Sequence, residues 1–166
     1  MGEDILTDNG VELGLEIINV INIENEKYAK KYNAPHNAEQ IPGEGSSIKL
    51  ARKDELIMGM EGYDLYSNQF IPLTTKADML DRIKLQGIFD KHFTGGAICH
   101  INIETKIEDE DKIIDLIKLC AKRGVVYFAL NYCLAECENG HMTVTKSENC
   151  SICNGNIVNY YTRVVG

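Results

Sequence analysis

Basic residues are scarce in this chain: 17 Lys and Arg stand against 25 Asp and Glu, for a formal net charge of -8 at pH 7. No basic stripe gathers those cations, and phosphate recognition needs clustered Lys and Arg, so a nucleic-acid surface is excluded. Long apolar runs are missing as well. None approaches the roughly 18 residues that cross a bilayer, and no lipidation motif stands at either end, so no membrane partner is expected. The opening Met1-Gly2-Glu3-Asp4 lacks the features of a secretory signal, which makes a reducing cytoplasm the expected compartment and free thiols the expected state of cysteine. Internal repeats and low-complexity segments are absent. What remains is a chain of 166 residues, 44% hydrophobic, long enough to bury one core with a small appendage.

Hydrophobic periodicity predicts a helix over 11–32, carrying Leu13, Ile17, Ile21 and Tyr28 on one face, with Lys27, Lys30 and Lys31 gathered near its C-terminal end. Pro35, Pro42, Gly43 and Gly45 then crowd residues 33–45, which predicts a shaped loop. A second helix is expected over 78–92, with Gly87 weakening it. The clearest pattern follows. Residues 97–103 and 125–130 are nearly continuous apolar runs, and the segment 109–123 between them opens with acids and closes with Lys122, Arg123 and Gly124. Ile113, Leu116, Ile117 and Cys120 form its apolar face, so the three segments make a βαβ unit with parallel strands buried on both faces. Cys99 and Cys120 read as small core residues within that unit. The fold class is therefore α/β.

The C-terminal segment concentrates soft ligands. Cys150 and Cys153 have the C-x2-C spacing that brings two thiolates to one tetrahedral ion, and Gly155 follows to let the chain turn back. Cys137 supplies a third sulfur, and the fourth position is open between His141 and Cys133, each four positions from Cys137. Four cysteines and a histidine within about twenty residues of a reducing-compartment protein point to metal rather than disulfides. His36, His92 and His100 read as structural histidines, and Glu39 and Glu44 as solvated loop carboxylates.

Five features in one order carry a resemblance: Asn37-Ala38-Glu39-Gln40-Ile41-Pro42-Gly43-Glu44, Thr94-Gly95-Gly96 before a strand, Tyr127-Phe128-Ala129-Leu130-Asn131, the cysteine knuckle, and the closing Arg163-Val164-Val165-Gly166. Together they resemble, over nearly the whole chain, the C-terminal part of anaerobic (class III) ribonucleotide reductase, a glycyl radical enzyme family. The resemblance implies a ten-stranded α/β barrel, of which residues 1–131 would supply a part. Residues 132–160 would form a zinc-binding knuckle, and 161–166 a glycyl radical loop. It also implies reduction of ribonucleoside triphosphates to deoxyribonucleoside triphosphates without oxygen, with electrons drawn in many members from formate.

Under that resemblance Gly166 matches the radical-bearing glycine, and a separate iron–sulfur, S-adenosylmethionine-dependent activating enzyme abstracts its hydrogen. Asn131 and Cys137 match the family's leading Asn and first zinc cysteine, which puts His141 ahead of Cys133 as the fourth ligand of a structural zinc. The family has a second C-x2-C at this place, and here Gly140 stands where its second cysteine would fall. The transient-radical cysteine, the reductant cysteine and the regulatory nucleotide sites belong to the family's upstream region. The chain is thus expected to act as a fragment, split subunit or remnant that needs an upstream half, within a homodimer. The contrasting reading is a non-enzymatic zinc-stapled interaction domain.

Overall fold

The computed structural model describes residues 4–41, 43–62, 64–73, 75–103 and 105–162. Helix α1 spans Asp8–Tyr32 and starts three residues earlier than its periodicity indicates, because Thr7 caps it: the Thr7 hydroxyl accepts the Gly10 N–H at 3.1 Å. Lys30 and Lys31 occupy its last turn, and Asn33 closes it in the left-handed region at φ 50°. The buried stripe differs from the expected one. Val11, Leu15 and Ile18 pack inward, while Ile17 and Ile21 are exposed.

Helix α2, Glu44–Met58, begins inside the segment expected to be a loop. Gly43 serves as its N-cap and Gly59 ends it in the left-handed region. The Pro/Gly cluster therefore starts a helix instead of only breaking one. Helix α3, Met79–Asp90, is capped by the Asp78 side chain on the Asp81 N–H and lies between two apolar clusters. Its Leu85 and Phe89 join Ile18 and Ile71 in one cluster, and its Ile83 joins Cys99, Ile101, Leu116, Cys120 and Val125 in the other. Gly87 proves to be a packing requirement, since a Cβ there would lie 1.9 Å from the Arg123 carbonyl oxygen.

The βαβ unit is present. Strand β1, Cys99–Ile103, pairs in parallel with β2, Phe128–Tyr132, through helix α4, Glu110–Arg123. Asp109 caps α4, and Gly124 ends it at φ 86° as its sequence requires. Burial on both faces is not what the strands show: β1 is buried over Cys99–Ile101, whereas β2 is half-buried along its length and the preceding Val126 and Tyr127 are exposed. Cys99 and Cys120 are core residues, and burial pushes the Cys99 thiol up to about 12, the nearby Asp90 and Cys120 adding to it.

A polar chain centred on the buried Gln86 and Asp90 ties these parts together. Gln40 Nε2 donates to the Asn68 carbonyl, Gln86 Nε2 to Gln40 Oε1 and to Asp90 Oδ1, and the Val126 N–H to Asp90 Oδ2 at 2.9 Å. Burial raises the Asp90 carboxyl above its ordinary range, against these donors.

The second sheet is antiparallel, in the order β4-β3-β5, from β3 Leu134–Cys137, β4 Met142–Val144 and β5 Ile157–Tyr161. Only Cys133 separates β2 from β3, and its N–H donates to the Ile103 carbonyl at 3.1 Å. The described residues thus form a mixed α/β fold with two sheets, and no helix among them is long and apolar enough to cross a membrane.

Candidate metal centre

Two backbone turns face each other at one end of the small sheet. In the first, β3 ends at Cys137 and the Gly140 N–H returns to the Cys137 carbonyl at 2.8 Å, with Gly140 left-handed at φ 77°. The Cys137 N–H then reaches the His141 carbonyl, and the His141 N–H points at Cys137 Sγ, 3.4 Å away. In the second, the Asn154 N–H bonds the Cys150 carbonyl and the Cys150 N–H the Gly155 carbonyl, while the Ile152 N–H points at Cys150 Sγ. The left-handed residue of this turn is Asn154, at φ 58°. Gly155 is needed for space instead: a Cβ there would sit 2.9 Å from Glu138 Oε1 and 3.3 Å from Cys153 Sγ.

These turns bring Cys137, His141, Cys150 and Cys153 together, with one ligand atom from each within 4.8 Å of all the others. Cys137 Sγ lies 3.8 Å from Cys153 Sγ and 3.6 Å from His141 Nδ1, and Cys150 Sγ lies 4.0 Å from that same nitrogen. A tetrahedral ion with Zn–S near 2.3 Å and Zn–N near 2.0 Å has S···S edges of about 3.8 Å and S···N edges of about 3.5 Å. The donor set therefore fits a four-coordinate thiolate–imidazole metal site. Cys133, although buried, is not in the group.

The electrostatics suit thiolates. Amide donors surround the sulfurs, and Cys153 is drawn down to about 6, first by the Asn139 side-chain amide at 3.4 Å, then by the Gly155 N–H and His141. Burial pushes Cys137 the other way, against N–H donors from His141 and Asn139. Cys137 and Cys150 are buried and Cys153 is exposed.

Other residues singled out by sequence fall elsewhere. Gly166, with Arg163, Val164 and Val165, lies outside the described residues. Glu39 is exposed and forms a parallel bridge with Gly96, and the side chain of Glu44 is likewise outside the description. His36 is exposed, its Nδ1 lying 2.8 Å from the Ala34 carbonyl oxygen. His92 is half-buried, and its carbonyl accepts from Asn22 Nδ2. His100 is buried with Nδ1 3.2 Å from Asn131 Nδ2. Sequence reasoning missed the hairpin that returns His141 to Cys137. The Asn139-Gly140 pair is the turn signal that marks it. It also missed Asn139 as the donor to Cys153, and the cleft of about 1100 Å³ between the start of α3, the end of β1 and the knuckle.

A family profile described as anaerobic ribonucleoside-triphosphate reductase matches residues 1–166. The chain belongs to that family. A solved anaerobic ribonucleotide reductase superposes on it with a TM-score of 0.78 at 36% identity, over 96% of this chain and 25% of that one. The Thermotoga maritima anaerobic ribonucleotide reductase with glycerol in the active site gives 0.77, and the same enzyme in complex with dATP and CTP gives 0.76, both at 36% identity and over 96% of this chain and 26% of theirs. The chain thus spans about a quarter of the length of these reductases. Among curated proteins nothing matches.

Proposed function

We propose that this chain is the C-terminal, glycyl-radical-bearing part of an anaerobic ribonucleoside-triphosphate reductase, converting ribonucleoside triphosphates to deoxyribonucleoside triphosphates once joined to the upstream part. The observation that carries this reading is the cluster of Cys137, His141, Cys150 and Cys153 at the root of β5, the strand that leads toward Arg163-Val164-Val165-Gly166, in a chain matched over its whole length by the reductase family.

In this reading residues 1–131 contribute to a ten-stranded barrel, 132–160 form the knuckle and 161–166 the radical loop. The four clustered side chains hold a structural zinc, with His141 as the fourth ligand. Four protein donors leave no position for water or substrate, so the ion fastens the two turns and takes no part in the chemistry. Gly166 stores the radical because a flattened α-carbon conjugates with both neighbouring peptide groups, and only glycine has no Cβ to crowd that arrangement. From Cys153 the tail extends thirteen residues, at most about 45 Å, enough for a loop anchored on the knuckle to reach a barrel interior.

An iron–sulfur activating enzyme that uses S-adenosylmethionine removes the Gly166 hydrogen, in the cytoplasm and in a homodimeric assembly. The dATP and CTP bound by the Thermotoga maritima enzyme support nucleotides as the ligand class. The test is anaerobic incubation of the chain with its upstream part and the activating enzyme. An electron paramagnetic resonance doublet, followed by cleavage at Gly166 on exposure to air, is the expected result, and Gly166→Ala loses both. Wild-type chain that stays silent under these conditions points to the non-enzymatic, zinc-stapled interaction domain instead.

A further inference from the structure

We propose that Tyr161 and Glu136 form a clamp that fixes the direction in which the chain leaves β5, so that both are positioning residues for the tail bearing Gly166. This rests on the reading of Gly166 as the radical site. Glu136 and Asn159 are paired across β3 and β5, and Tyr161 lies two residues beyond Asn159 on the same face. One carboxylate oxygen serves both neighbours: Glu136 Oε2 accepts the Tyr161 hydroxyl at 2.7 Å and the Asn159 side-chain amide at 3.1 Å. From the opposite face the Tyr160 hydroxyl donates to the Ser147 carbonyl at 2.8 Å. The last turn of register before the tail is thus gripped on both sides.

Each grip is rooted beside the metal cluster. Glu136 immediately precedes Cys137, at the point where the β3–β5 register shifts, and Ser147 lies three residues before Cys150.

Tyr161 stands five positions before Gly166 in sequence, so the direction set at β5 bears directly on where that glycine can be placed. Misplacement of a reacting group by about 1 Å already costs on the order of a hundredfold in rate. The exit also faces the large cleft, whose wall includes Tyr160 and Thr162 together with Met79, Arg82 and Ile103. Arg82 is committed elsewhere, donating to the carbonyls of Ile71, Pro72 and Thr75. Among the described residues, the hydrogen bonds that hold the side chains at this end of β5 are those of Asn159, Tyr160 and Tyr161.

Hydrogen exchange on the metal-loaded chain tests the clamp, using Tyr161→Phe, Glu136→Ala and the double variant. Exchange at the Tyr161 and Thr162 amides rises about fivefold in Tyr161→Phe, the effect of losing one hydrogen bond, and at least as much in Glu136→Ala, which also frees Asn159; the double variant matches Glu136→Ala. Zinc content and protection of β1 stay at wild-type values, which a general loss of structure would not permit. Unchanged exchange, or single effects that multiply in the double variant, overturns the clamp. A second measurement addresses its purpose: with the upstream part and activating enzyme, each single variant yields at least about tenfold less doublet per chain. Equal yields beside a wild-type doublet overturn the positioning role and leave the proposed function standing. A silent wild type overturns the Gly166 reading, and with it the positioning role, while exchange still decides whether the clamp exists.

Discussion

Replacing Gly87 by Ala sets two effects of opposite sign against each other at one position of α3. Helix propensity favours the change by about 1 kcal/mol, since glycine is among the poorest helix formers. Packing opposes it. The new methyl would meet the Arg123 carbonyl oxygen at 1.9 Å and the Arg123 carbonyl carbon at 2.7 Å, both backbone atoms at the capped end of α4. A tolerable C···O approach is about 3.3 Å, so α3 and the end of α4 must separate by about 1.4 Å. That separation opens the cluster in which Ile83, Leu116 and Cys120 are 1%, 6% and 1% exposed. Overpacking of this kind costs about 1–3 kcal/mol, and the accompanying loss of contact in the cluster puts this site at or above the top of that range. The net expectation is destabilisation by about 2 kcal/mol.

Urea denaturation of the metal-loaded chain reads this directly. With a slope of about 2 kcal/mol per molar urea, the midpoint of Gly87→Ala falls by about 1 M. Gly45→Ala serves as the control, because α2 leaves nothing within 4 Å of a Cβ there and propensity acts alone. A Gly87→Ala midpoint at or above wild type would refute the packing argument and with it the reading of α3 as wedged against the α4 cap.

His141→Ala and Cys150→Ala are expected to lose bound zinc, with Cys133→Ala retaining a full equivalent, as measured by elemental analysis after gel filtration. Chelation should release protection of the β3–β5 amides and leave β1 and α4 protected in hydrogen exchange, because neither apolar cluster includes a knuckle residue; equal loss everywhere would contradict this. Cys99 gives a pH signature. Its thiol ionises near its ordinary value of 9.0 in the unfolded chain and only at about 12 in the folded one, so its contribution is full below pH 9 and is lost as pH rises toward 12. Stability should therefore fall by up to about 1.4 kcal/mol per pH unit in that window, and Cys99→Ala should flatten the slope seen in denaturation series at pH 8 to 11.

The parts of the fold legible in sequence are those where local and tertiary preferences agree. Helix α4 has acids in its first turn, Lys122 and Arg123 in its last, a glycine stop and a regular apolar stripe, and its neighbours are short apolar runs. Helix α2 shares only an opening acid and a glycine stop: it starts on Glu44-Gly45-Ser46-Ser47 without a side-chain cap, has no basic residue in its last turn, and exposes Leu56 and Ile57, so its pattern carries little amphipathic signal. In α1 the exposed Ile17 and Ile21 mimic a core stripe, and only the packing against Ile71, Leu85 and Phe89 identifies Ile18 as the buried residue. The antiparallel sheet is hidden for a different reason. Its strands are three to five residues long, and their buried positions are occupied by Ala135 and Cys137 instead of large β-branched side chains.

The fourth metal-ligand position shows how spacing becomes informative only once backbone conformation is known. Cys133 and His141 stand equally far from Cys137 in sequence, one before it and one after. The residues after Cys133 are extended as β3, and four residues of strand span about 13 Å, beyond the reach of two side chains to one ion. The residues before His141 reverse direction in the turn closed by Gly140, so the same count of residues leaves His141 Nδ1 3.6 Å from Cys137 Sγ. Extended backbone separates one candidate and a left-handed glycine returns the other. Gly140 thus has a structural reason to remain glycine: a cysteine in its place would have to adopt φ 77°, a region that side chains rarely tolerate, and the adjacent imidazole reaches the centre without that strain.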